Sequence, residues 1–139
     1  MDWKFFSVIS ALFAGLTAVL AKIGIKDLPV GIATFIRTVV ILVFLGFIVI
    51  LRREWSNSIQ LNRQSLIFLI LSGITTGLSW ICYFRALQTG PVALVSALDK
   101  FSLIFAIIFS ILFLHERLNF TGWIGVSFIT AGTFLIVFK

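Results

Sequence analysis

Asp99 and Lys100 stand side by side in a run that is otherwise apolar from Pro91 to Leu114. Ionisable groups at membrane depth are expensive to keep and usually face a bundle interior or a water-filled cavity. Three roles suit the Asp99 carboxylate: an internal salt bridge to Lys22, Arg37 or Lys100, contact with a solute or proton, or a structural hydrogen bond. Lys100 is rotated by about 100° from Asp99 on a helix, so the two need not pair directly. Ser96, Asp99, Leu103, Ala106 and Ser110 follow helical spacing and form one small, polar stripe. Arg37, about 8 Å into its own apolar run, either snorkels to headgroups or meets solute beside Thr34 and Thr38. Lys22 has the same choice from a helix end. Thr76 and Trp80 complete the cavity candidates: a hydroxyl alone is a weak signal, whereas a deep indole N–H needs a partner. Ser, His and Asp all occur, but His115 lies at an interface and Asp99 deep, so no nucleophile–base pair assembles and the chain reads as a non-enzyme. His115 has no companion at ligand spacing, which argues against a metal, and no cofactor is implied.

These residues need membrane-spanning helices to place them. Hydrophobic residues make up 60% of the 139, charged residues 12%, and the mean hydropathy is +1.18. A soluble domain is about 45–50% apolar and about 25% charged, so the composition predicts an all-α, polytopic membrane protein. Five apolar runs are long enough, at about 20 residues each, to cover the hydrocarbon core. They extend from about Phe5 to Ile25, Ile32 to Leu51, Leu66 to Phe84, Val92 to Leu114 and Phe120 to Phe138. The first run is longer than a signal-peptide core and has no clear cleavage site, so it reads as a retained helix. Lys26 to Gly31, with Pro29 inside it, is a minimal turn, and Gln88-Thr89-Gly90-Pro91 is another. Arg52 to Ser65 is the longest polar interval, expected along the membrane surface with Trp55 as a headgroup-level anchor. Gly125 and Gly132 share a face of the last helix, which makes it the candidate outer or dimer-forming element. Glu116 is expected to bond to amides at the start of that helix. The whole chain, 1–139, reads as a single domain.

The net charge of +6 raises the question of nucleic acid. Most of the charges border apolar runs, where lipid headgroups attract them, so membrane lipids rather than nucleic acid are the expected partners. Cys82 is alone and forms no internal disulfide. Five spans place the two ends on opposite sides. One side collects five cations (Lys4, Arg52, Arg53, Arg63, Arg117) and the other four (Lys22, Lys26, Arg85, Lys139), a bias that orients the chain only faintly.

Tyr83-Phe84-Arg85-Ala86-Leu87, Ser96-Ala97-Leu98-Asp99-Lys100-Phe101-Ser102 and Leu114-His115-Glu116-Arg117-Leu118, followed by Gly122 and Gly125, resemble the EamA family of the drug/metabolite transporter superfamily. The resemblance covers essentially the whole chain. It implies a fold equal to one half of a ten-helix, inverted-repeat transporter, and an alternating-access carrier, an exporter, of a small-molecule solute in the cytoplasmic membrane. It also implies a cavity built by the first, third and fourth helices, with Glu116 and Arg117 in a structural role. Two copies would restore ten helices, so a homodimer is expected, antiparallel among its options. The first span carries no acidic residue, unlike the buried Glu of the small multidrug resistance branch, so any proton coupling would fall to Asp99. Two other readings stay open, a flippase subunit for polyprenyl-linked lipids and a non-transporting accessory subunit. A wet cavity reaching Asp99 marks the carrier, a lateral opening to lipid the flippase, and a dry interior the accessory subunit.

Overall fold

The computed structural model describes residues 2–54 and 62–138, which leaves Trp55 and its expected anchoring role, along with Lys139, outside the described residues. Among the described residues six helices follow one another: α1 Trp3–Gly24, α2 Val30–Leu51, α3 Arg63–Thr89, α4 Val92–Asp99, α5 Phe101–Leu114 and α6 Phe120–Val137. With α4 and α5 taken as one span of 23 residues, five helices among the described residues are long and apolar enough to cross a membrane. At 1.5 Å per residue, the shortest of them, 18 residues in α6, reaches about 27 Å, close to the thickness of a hydrocarbon core. Helices satisfy their backbone groups internally, which is the condition for crossing lipid.

The proline turns act where the sequence places them. Pro29 (φ −57°, ψ 134°) and Pro91 (φ −64°, ψ 140°) are extended and stand immediately before α2 and α4. Each carbonyl accepts the first bond of its helix, from Ala33 N–H and Val95 N–H respectively. α3 runs further than its apolar stretch: it passes Arg85 and ends at Thr89, one residue before Gly90-Pro91.

The fourth span runs over Val92–Leu114 as expected, with one tightened turn at Lys100, whose backbone stays helical (φ −65°, ψ −15°). α4 stops at Asp99, Lys100 forms a single tight turn, and α5 begins at Phe101. The Lys100 amide donates to the Ala97 carbonyl and the Leu103 amide to the Lys100 carbonyl, both three residues back rather than four. Such a 3₁₀ step winds the chain tighter for one turn. No proline or glycine lies there; the tightened turn falls on the charged pair itself.

The chain divides into two compact units. One comprises Met1–Val19 with Thr89–Lys139, and in it α4 packs on α6 and the Phe101 ring meets Phe134 edge-on at 5.5 Å. The other, Leu20–Gln88, holds the end of α1, all of α2 and nearly all of α3. Its buried centre is Ile25, Ala33, Thr34, Phe84 and Leu87. Elsewhere most Phe, Leu, Ile and Val side chains are exposed, as lipid-facing surfaces require and as water would not tolerate.

Candidate functional site

The second unit brings two of the expected cavity residues together. Arg37 and Trp80 sit on α2 and α3, and the guanidinium carbon lies 4.4 Å from the Trp80 ring centroid and 5.1 Å from that of Phe84. Trp80 and Phe84 are four residues apart and therefore share one face of α3. A guanidinium over aromatic faces gains from the ring quadrupoles, by about 2 kcal/mol where water is excluded. Arg37 is half-buried and also lines a recess of about 210 Å³ whose other walls are Ala21, Gly24, Ile25, Leu28, Ala33, Ile36 and Phe84. The hydroxyls flanking Arg37 do not point to solute chemistry: Thr34 donates to the Val30 carbonyl and Thr38 to the Thr34 carbonyl, each at 2.8 Å. Thr76, exposed on α3, likewise donates to the Ser72 carbonyl at 2.8 Å.

Lys22 takes a position that neither snorkelling nor a cavity role describes. Its ammonium donates to the carbonyl of Leu87 and, at 3.4 Å, to that of Gln88. Those are carbonyls of the last turn of α3, which have no partner inside their own helix and carry the negative end of its dipole. The favour is returned from α3, since the Gln88 side-chain amide donates to the carbonyls of Ile25 at 2.9 Å and Leu28 at 2.7 Å, just beyond the end of α1. Each helix thus caps the carbonyl end of the other. This clamp, with Leu87 fully buried behind it, closes the second unit next to the recess, whose walls include the same Ile25 and Leu28.

The first unit holds the charged pair. Asp99 and Lys100 are both exposed, at the junction of α4 and α5. They make no ion pair with one another, and within their own unit neither side chain has a hydrogen-bond partner among the described residues. Ser96, one turn earlier, is half-buried and partnered. At the far end of α5, His115 adopts a left-handed conformation (φ 54°, ψ 28°), and its amide and that of Glu116 both donate to the Ser110 carbonyl. The expected capping of the last helix is performed by Asn119, whose side-chain oxygen accepts from the Gly122 amide at 2.8 Å; Glu116 and Arg117 are exposed in the loop before it. Asn119 is closer in sequence to the free amides and needs no reach to cap them. Gly125 and Gly132 face open space, since a methyl group at either would meet nothing within 4 Å.

The site residues that escape the sequence reading are Phe84, Leu87 and Gln88, with the apolar recess walls such as Ile25, Leu28 and Ile36. For Phe84 and Gln88 the signal is spacing, because with Trp80 they repeat every four residues and lay one stripe along α3.

Comparison with known proteins places the chain in a family. No solved structure matches the chain. A protein described as an uncharacterized transporter in the cobO 3′ region of a Sinorhizobium species is 46% identical over 135 residues, covering 97% of this chain and 96% of that protein. The pseudopaline exporter CntI, from two Pseudomonas aeruginosa strains, is 30% identical over 132 residues, or 95% of this chain; the chain spans 42% of CntI's length. Residues 2–138 match the EamA-like transporter family, and the chain belongs to it, as a multi-pass membrane protein of the drug/metabolite transporter superfamily.

Proposed function

We propose that the protein is a secondary carrier that exports a small metabolite across the cytoplasmic membrane by alternating access, working as a homodimer. Membrane transport is the business of the family, and both a same-length relative and a longer one carry transporter names. The observation that carries the finer reading is the charged pair Asp99-Lys100 inside the fourth span, exposed and without a side-chain partner among the described residues of its unit. Ionisable groups within a span usually face a bundle interior or a water-filled cavity. Asp99 begins about 10 Å into the span, and an unpaired carboxylate beside an unpaired ammonium at that depth needs a partner molecule, a second copy or water. A homodimer supplies ten spans, which fits a chain aligned with less than half of an exporter.

Asp99 and Lys100 then serve transport more than folding. Purified protein in proteoliposomes, offered matched anionic, zwitterionic and cationic metabolites, should show saturable flux of some of them. Asp99→Asn and Lys100→Gln should each lower that flux while the detergent-extracted protein stays monodisperse. Flux unchanged in both variants would remove the pair from the pathway, and equal loss of folded protein would make it a structural pair.

A further inference from the structure

The recess of the second unit is furnished for one kind of guest. Arg37 brings five N–H donors in a planar fork. The Trp80 and Phe84 rings stabilise the guanidinium's charge but accept none of those hydrogen bonds in the ordinary way. Among the described residues of this unit no carboxylate or carbonyl accepts from it either. Lys22, the neighbouring cation, is by contrast committed to the α3 carbonyls. Arg37 therefore lines an otherwise apolar recess with its donor edge unspent, and no acidic side chain contributes to the walls.

An unpaired guanidinium at this depth is matched best by an oxyanion that takes two parallel N–H bonds. The walls narrow the choice further. One cation balances one charge, so a dianionic phosphate would leave an uncompensated charge against Ile25, Ile36 and Phe84, which offer it no polar group. A zwitterion would bring its ammonium to walls that carry no acidic side chain, beside the Arg37 cation itself. Size sets the upper bound. At about 210 Å³ the recess falls below the roughly 300 Å³ at which drug-sized ligands begin.

We propose that Arg37 and this recess bind a small apolar monocarboxylate, its carboxylate held by the guanidinium and its body laid against Phe84, Ile36 and Ile25. The proposal deepens the carrier reading by naming a substrate class, and it rests on that reading only for what the binding is used for.

Equilibrium binding separates the two. Radiolabelled phenylacetate is offered to the intact protein in phosphatidylcholine nanodiscs, with 2-phenylethylamine and phenylalanine as size-matched cationic and zwitterionic competitors. Phenylacetate should bind saturably at one site per chain, and neither competitor should displace it. Arg37→Gln should weaken binding by about tenfold or more, the loss of a charge-assisted pair. Arg37→Lys, which keeps the charge and loses the fork, should fall in between. Gly24→Leu gives a test that leaves Arg37 alone: Gly24 is a wall of the recess and a methyl group there meets nothing within 4 Å, so a leucine has room to start into the recess, and binding should disappear from a monodisperse protein. Displacement by the amine, or unchanged affinity in Arg37→Gln and Gly24→Leu, would overturn the assignment. Loss of binding when phosphatidylglycerol replaces phosphatidylcholine would overturn it too, by giving Arg37 to a lipid headgroup. Binding without phenylacetate flux in proteoliposomes would leave the site standing and count against the carrier reading, whereas flux without Arg37-dependent binding would do the reverse.

Discussion

The clamp between α1 and α3 yields the sharpest stability prediction, because its bonds run between helices and can be removed one at a time. Gln88→Leu keeps the volume of the side chain and deletes both donors, at 2.9 Å to Ile25 and 2.7 Å to Leu28. A neutral hydrogen bond contributes about 0.5–1.5 kcal/mol net, so the pair amounts to about 1–3 kcal/mol. Lys22→Met keeps the apolar stem and removes a charged donor from the α3 carbonyls, again about 1.5–3 kcal/mol. Both substitutions act on the same two chain ends, and the double variant should therefore lose less than the two singles together, with a coupling of about 0.5 kcal/mol or more. The assay is reversible unfolding in mixed micelles titrated with sodium dodecyl sulfate, followed by circular dichroism. Gln64→Leu, a change at an exposed glutamine near the start of α3, is the control and should stay within about 0.5 kcal/mol of the wild type. If Gln88→Leu behaves like that control, or if the double variant is strictly additive, the clamp is two unrelated surface contacts and the reasoning fails.

The start of α6 should be equally sensitive on a local scale: at Gly122 a methyl group would stand 2.6 Å from Leu118 Cγ and 3.0 Å from Asn119 Oδ1, so Gly122→Ala should displace the cap and cost about 1–3 kcal/mol. Asn119→Ala should cost about 1 kcal/mol in the same unfolding assay, and equal stability of both variants with the wild type would show that the cap contributes nothing. For the assembly, an added N-terminal cysteine on a Cys82→Ser background should be labelled from both faces of intact cells in comparable amounts if the two copies lie antiparallel. Labelling from one face only would eliminate that arrangement.

The spans were legible because bilayer thickness and apolar run length are the same constraint seen twice. Their ends were legible only where the backbone itself is constrained. Pro29 and Pro91 mark the starts of α2 and α4 to within a residue or two. Where the mark is a charge, the reading stops short: the apolar run ends before Arg85, but the helix continues to Thr89, since nothing in Arg85-Ala86-Leu87-Gln88 opposes helical backbone. Those extra residues supply Leu87 and Gln88, half of the clamp. The tightened turn at Lys100 left no sign in composition at all. Gly and Pro are what a sequence offers as helix breakers, and the turn between α4 and α5 uses neither.

Lys22 and Arg37 show why the site was harder to read than the fold. In the sequence they are alike, each a lone cation in an apolar run with the choice of snorkelling or facing inward. What separates them is the availability of acceptors, and the acceptors are backbone carbonyls that no residue type announces. Lys22 lies across from the end of α3, where carbonyls have no helical partner, and is consumed there. Arg37 lies across from residues one to two turns further back in the same helix, where the backbone carbonyls are used by the helix, and meets the faces of Trp80 and Phe84. A cation facing a helix terminus is neutralised by the fold. A cation facing a helix interior keeps its donors for something else, and that difference of one to two turns in axial position is what turns one of two similar residues into a candidate for ligand recognition.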